Sequence, residues 1–279
     1  MEPTSQFAPR VLLAIEDIRL RRSNEAGLRA AGFSVSAPSD AEAARILADS
    51  FAPDVIVVDS AMAGTDDQPL YRQLRTSSDS YLLCIDSLGR DRARVEILRW
   101  GADDAVSVPV SPDEVVARCQ ALMRRPREIR AGWDPVHQTV LTLGPLTVDT
   151  GRHEIRLNGH EIAATRIEFQ LLEHLVRHPT EVATRAELLD RVWGPHWVGD
   201  THVVDVHLSN LRRKLDEVMP SVRMIQTVRG VGFRISNELL DLAEAAQSQH
   251  ARGDAWRPTG AESHNGDQPS EPVRLTRVG

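Results

Sequence analysis

The stretch Val55-Ile56-Val57-Val58-Asp59 decides how the first half of the chain is read. An apolar run without alternation, closed by a carboxylate, suits a strand buried on both faces, as in a parallel sheet covered by helices. Working outward, Val11–Ile15, Phe33–Ser36, Tyr81–Ile85 and Ala105–Val108 bring the strand-like runs to five. Segments of helical spacing separate them; Arg19–Ala31, closed by Gly32 as a C-cap, is one. This alternation predicts an α/β unit with a parallel sheet and right-handed crossovers. In such folds the chemistry lies at the carboxyl ends of the strands. The first strand there runs into Glu16-Asp17 and the third into Asp59, so three carboxylates are expected at one edge. Carboxylates that close repel unless a divalent cation or a proton intervenes.

Pro126 to about His137 has Pro, Gly and charges without periodicity and reads as a linker. Thr139–Val148, Glu154–Leu157 and Glu161–Ala163 read as short strands, with turns at Thr150-Gly151 and Asn158-Gly159. Helical patterns follow at 166–178, 184–193 and 201–218, then strands near 222–227 and 232–236 around Arg229-Gly230-Val231-Gly232. Three helices and a β-ribbon make an α+β winged helix-turn-helix. Asn237–His250 has the pattern of a short helix. Residues 251–279, with 7 apolar residues, 4 Gly and 3 Pro, are too poor in apolar groups to bury a core and read as disordered.

The 279 residues are 41% hydrophobic and 26% charged, as in a soluble globular protein of two domains. No apolar run approaches the ~18–20 residues of a membrane span. The start, Met-Glu-Pro-Thr-Ser-Gln, lacks the pattern of a secretory leader. Cys84 and Cys119 form no disulfide framework or metal spacing and suit a reducing cytoplasm. The net charge of −7 is uneven: residues 1–130 carry 17 basic and 20 acidic side chains, residues 131–236 carry 12 and 13. The second segment is near neutral, so a face for nucleic acid there needs local clustering of cations.

The order of signals from Val11 to Ser236 resembles the OmpR/PhoB family of transcription factors. The most specific pieces are Gly101-Ala102-Asp103-Asp104, Gly199-Asp200-Thr201, Val204-Asp205-Val206-His207 and Gln226-Thr227-Val228-Arg229-Gly230-Val231-Gly232-Phe233. The resemblance implies a (βα)5 doubly wound, flavodoxin-like receiver over 10–125, after a tail at 1–9. A linker at 126–137 would lead to a winged-helix DNA-binding domain over 138–236 and an extension at 237–279. It implies a cytoplasmic regulator rather than an enzyme, a homodimer on double-stranded DNA, with RNA polymerase and a histidine kinase as further partners. By the same resemblance Asp59 is the phospho-acceptor, Glu16 and Asp17 the acidic pair, and Asp17, Asp59 and the Ala61 carbonyl ligands for Mg2+.

The departures from the family pattern point one way. Asp86 stands where the family has a hydroxyl residue, and Val108-Pro109 where it has Lys-Pro. Ala105 replaces the switch aromatic and Ala63 the proline after the acceptor strand. An acidic pocket of Glu16, Asp17, Asp59 and Asp86 is then formally −4, against −2 for the family. At ~4 Å and an effective dielectric of ~20, one added repulsion is on the order of 4 kcal/mol. Ser87 is expected to point away by strand alternation. The expectation is control that does not run through phosphate on Asp59. The alternatives are conventional phosphorylation of Asp59 by a histidine kinase and, in another class, a magnesium-dependent enzyme built on the acidic pocket. The enzyme reading finds no further nucleophile or general acid.

Arg94, Asp103, Asp104, Glu114 and Arg118 match the family's receiver dimer face, with Arg94–Glu114 and Asp104–Arg118 as cross-subunit pairs. On a wheel of 201–218, Val204, Leu208, Leu211, Leu215 and Val218 face the core; His202, Val206, Ser209, Asn210 and Arg213 lie opposite. The resemblance places Val206 and Asn210 on bases and His202, His207, Ser209 and Arg212 on phosphates. Thr227 would hold a phosphate and Arg229 would enter the minor groove. His196, His202 and His207 match no zinc spacing.

Overall fold

The apolar runs of the first half form one parallel sheet in the order β2-β1-β3-β4-β5. The computed structural model describes residues 8–65, 68–89, 93–123, 140–195, 197 and 199–253. Its first unit alternates β1 (Arg10–Ala14), α1 (Ile18–Ala30), β2 (Ser34–Ser36), α2 (Ala41–Ser50) and β3 (Val55–Asp59) with α3 (Leu70–Ser77), β4 (Tyr81–Asp86), α4 (Ala93–Arg99), β5 (Asp104–Ser107) and α5 (Pro112–Leu122). Every residue of β3 and β4 is buried, as their unbroken apolar runs require. Side chains cap the helices that begin beside the sheet: Asp17 accepts from the Leu20 N–H and Asp40 from the Ala43 N–H. Ser111 does the same for α5, ahead of Pro112 in its first turn.

The second unit opens with an antiparallel sheet of β6 (Val140–Leu143), β7 (Leu146–Asp149), β8 (Glu154–Leu157) and β9 (His160–Glu161). The single strand expected over Thr139–Val148 is instead a hairpin. Gly144 takes a φ of 57° and Pro145 follows it, so the chain reverses between β6 and β7. Helices α6 (Arg166–Arg177) and α7 (Arg185–Val192) both start with capping boxes, Thr165 with Glu168 and Thr184 with Glu187. After α8 (His202–Val218) the ribbon of β11 (Ile225–Val228) and β12 (Gly232–Ile235) pairs with β10 (Ala183–Thr184), a strand too short to leave a periodic signal.

The short helix expected over Asn237–His250 is present as α9 (Asn237–Gly253), which runs three residues further. Leu239 and Ala243 are buried, and Glu238 accepts from the Arg223 N–H at 2.8 Å. Residues 1–7 of the expected tail at 1–9, the linker at 126–137 and residues 254–279 lie outside the described residues. Among the described residues no helix is long and apolar enough to cross a membrane. The two units meet where α8 lies along α4.

The wing makes a stability test. A Cβ on Gly232 would sit 2.0 Å from the Ala183 carbonyl oxygen, so Gly232→Ala must part β12 from β10. Gly230 has a φ of 73° and open space around it. Denaturant unfolding should give a loss of roughly 3 kcal/mol for Gly232→Ala and about 1 kcal/mol for Gly230→Ala. Equal losses would mean that the β10–β12 pairing does not constrain the wing.

Candidate acidic pocket and nucleic-acid interface

Asp59 ends β3 and is 3% exposed. Its Oδ1 accepts from the Ala61 N–H at 3.0 Å and from the Ser87 hydroxyl. Ser87 was expected to point away, but β4 ends at Asp86, so strand alternation no longer governs the next side chain. Asp86 does not join the acidic pocket. Its Oδ1 accepts from the N–H groups of Leu88 and Gly89 at 3.2 and 3.3 Å and from the Ser60 hydroxyl at 3.4 Å. It lines a separate cavity of about 340 Å3 between the units, with Arg94 and Asp104 on one side and His202, Val203 and Val206 on the other.

Glu16 and Asp17 are exposed, and Asp17 spends Oδ1 on the Leu20 N–H at 2.7 Å. The Arg21 guanidinium holds the Ile15 carbonyl at 2.7 Å and reaches that of Glu16 at 3.3 Å. Among the described residues no three carboxylate, imidazole or thiol groups come together in a way that could hold a metal ion. The expected Mg2+ set has only two such groups beside the Ala61 carbonyl; Asp17 uses Oδ1 to cap α1, and Asp59 uses Oδ1 on the Ala61 N–H and the Ser87 hydroxyl. Val108, exposed beside Pro109, supplies no charge, and no described cation forms an ion pair with Asp59.

The charged face of α4, β5 and α5 pairs within the chain. Asp103, fully buried, accepts at Oδ2 from the Leu82 N–H at 2.8 Å and from Arg75 at 3.2 Å. Asp104 accepts from the Ala105 N–H at 2.8 Å and from Arg118 at 2.9 Å. Arg118 also takes Glu114 at 2.6 Å. Burial raises the Asp103 carboxyl, and lifts that of Asp104 to about 6 against the pull of Arg118. Within the single chain Arg118 thus takes both Asp104 and Glu114, the groups expected in pairs across a subunit boundary.

Helix α8 buries two stripes. Val204, Leu208, Leu211 and Leu215 enter the core of their own unit, as the wheel requires. Val203, His207 and Asn210, spaced by four and three, are buried as well, against the first unit. The Asn210 amide donates to the Leu98 carbonyl at the end of α4 at 2.9 Å. The His207 Nε2 lies 3.0 Å from the Asp103 carbonyl, and the ring packs against Trp193 with centroids 5.7 Å apart. Around this contact Arg118 stacks over Trp197 at 5.1 Å and Gln170 donates to the Tyr81 hydroxyl at 3.3 Å. His207 and Asn210, expected on phosphate and base, are covered by the first unit.

The other expected contacts divide. His202, Ser209, Arg213, Thr227 and Arg229 are exposed, and Val206 is half-buried. Arg212 is tied to the wing: it donates to the Ile225 carbonyl at 3.1 Å and to the Thr227 hydroxyl at 2.9 Å. Lys214 is bound to Glu168 and to the Ala163 carbonyl, both at 2.7 Å. Tyr81, Gln170 and Trp197 were not singled out from sequence; the Trp193–Trp197 pair just before α8 was the available signal.

The family described as "Transcriptional regulatory protein, C terminal" matches residues 159–235. The transcriptional regulatory protein PrrA of Mycobacterium tuberculosis is 39% identical over 231 residues, covering 82% of this chain and 97% of the relative. The sensory transduction protein RegX3 of Mycolicibacterium smegmatis is 35% identical over 209 residues, covering 75% and 90%. Among solved structures, a cysteine-to-serine mutant of RitR aligns over 82% of this chain and 99% of its own, with a TM-score of 0.67 and 26% identity.

The salt dependence of binding to duplex DNA separates the cations. Arg213→Ala and Arg229→Ala should each flatten the slope of log affinity against log salt by about 0.9. Lys214→Ala should leave the slope alone but destabilise the fold by roughly 3 kcal/mol, because Glu168 is left buried without its partner. A slope change in Lys214→Ala would move that ammonium to the DNA face.

Proposed function

Because the chain belongs to the OmpR/PhoB family of DNA-binding response regulators, we propose that its output is governed by separation of an atypical receiver from the winged helix, without phosphate on Asp59. The observation that carries this reading is the pair of bonds from Asn210 and His207 to receiver carbonyls. A helix held that way cannot enter the major groove. The receiver spans 10–125 and the winged helix 138–236, and the protein acts in the cytoplasm on double-stranded DNA.

Release of α8 frees two surfaces at once, the DNA-reading face and the receiver face of α4, β5 and α5. The open form binds tandem half-sites as a homodimer through that second face. A phosphoryl group on Asp59 would meet the Ser87 hydroxyl but no ammonium, which supports independence from phosphate. A second reading, conventional phosphorylation, draws on the same Ser87–Asp59 hydrogen bond, since that hydroxyl is placed to donate to a phosphoryl oxygen.

Val95→Glu would add a carboxylate to a cavity already lined by Asp86, Asp104 and Asp200, and so push the units apart. Its affinity for duplex DNA should rise about tenfold or more, whereas Asp59→Asn and treatment with acetyl phosphate should change affinity little. Stoichiometric phosphorylation of the unmodified protein, with a gain in affinity that Asp59→Asn abolishes, would establish the second reading instead.

A further inference from the structure

His207 is the one residue of the DNA-reading helix that is fully buried, polar and titratable near neutral pH. Its Nε2 faces a carbonyl oxygen, which only accepts, so Nε2 carries the hydrogen and donates to Asp103. That fixes the tautomer and leaves Nδ1 bare. Nδ1 is buried and has no hydrogen-bond partner among the described residues. A second proton there would create a buried N–H without an acceptor and a cation out of water.

The charged groups around the ring come from several elements. Asp103, just before β5, lies behind the accepting carbonyl, its carboxylate engaged by the Leu82 N–H and by Arg75 of α3. Glu168 on α6 and Lys214 on α8 are bonded to each other. Asp104 and Arg118 pair inside the first unit. Burial outweighs the attraction of Asp103 and Glu168, and holds the imidazole below its ordinary range.

We propose that His207 is a proton-operated latch: its protonation releases α8 from the receiver, so that acidification raises DNA affinity. The inference rests on the closed form described above as DNA-free. Once α8 is released, the ring stands on the helix face that carries Asn210, near the exposed Ser209 and Arg213. There a positive charge favours contact with a polyanion, so the proton that opens the latch also adds a phosphate contact.

The sign follows from linkage. The ring binds its proton more weakly in the closed form than when free, where it titrates near 6.5. The closed form is therefore favoured in full above about pH 6.5, and that advantage is lost as the pH falls below it. One proton limits the effect to about tenfold per pH unit. Asp104 titrates near the same pH, lines the cavity between the units and holds the Arg118 that stacks on Trp197, so Asp104→Asn separates its share from that of His207.

The test uses the full chain, its radius of gyration by small-angle scattering, and its affinity for a random-sequence duplex two helical turns long. Wild type should be compact at about pH 7.5, then expand and gain close to tenfold in affinity between about pH 6.5 and 5.5. His207→Gln, whose amide N–H can still meet the Asp103 carbonyl but does not titrate, should stay compact with a flatter pH profile. Asp104→Asn should keep the wild-type response. A glutamine variant with the wild-type profile, or a wild type that stays compact throughout, would overturn the latch while leaving the closed form standing. A wild type already extended at about pH 7.5 would overturn the closed form itself. Should the glutamine variant not fold, an NMR titration of the His207 ring decides: a value well below 6.5 without DNA supports the latch, and one at about 6.5 overturns it.

Discussion

Helix α8 must satisfy two neighbours at once, and the arrangement of the chain depends on that constraint. Its leucines bind it to the second unit, and the stripe of Val203, His207 and Asn210 binds it to the first. The polar members of that stripe cannot be buried without partners, and the receiver supplies two main-chain carbonyls. Each such bond contributes only about 1 kcal/mol net. A contact built from a few bonds of this size is firm enough to cover the reading face and weak enough for an equilibrium to move.

The acidic residues at the start of β5 gain their meaning from this contact. Asp103 points its carboxylate inward to Leu82 and Arg75, which leaves its carbonyl free for His207. Asp104 and Glu114 together hold Arg118, and the guanidinium thus fixed stacks on Trp197 of the second unit. Charges that would serve a dimer surface in an open molecule here brace the docked helix. In the proposed function, receiver dimerisation and DNA reading would both compete with this internal interface.

Much of the fold was legible because burial on both faces leaves an unbroken apolar run, as in Val55–Val58, and because turn residues mark the hairpins. What was not legible depends on tertiary placement. Asn210 and His207 read as polar surface on a wheel, since a wheel sees one helix and not the second unit against it. Ser87 and Asp86 exchanged expected roles because alternation holds only while the strand lasts, and β4 ends between them. Arg212 counted as a cation for phosphate, yet it is fastened to the wing. Strand β10 was missed because two residues carry no period, whereas the helix past Ser236 was legible from its apolar spacing, with Leu239 and Ala243 among the buried positions.

The central claim is that the receiver covers the reading helix when DNA is absent. It is tested most directly by the distance between spin labels on cysteines placed at Glu96 of α4 and Glu217 of α8, both exposed. Cys84 and Cys119 are buried and burial raises both thiols, so the labels go to the new sites. The account predicts a single short distance population in the free protein that gives way to a longer one as duplex DNA saturates it. A long, broad distribution in the free protein, or a short one that persists at saturating DNA, would contradict it.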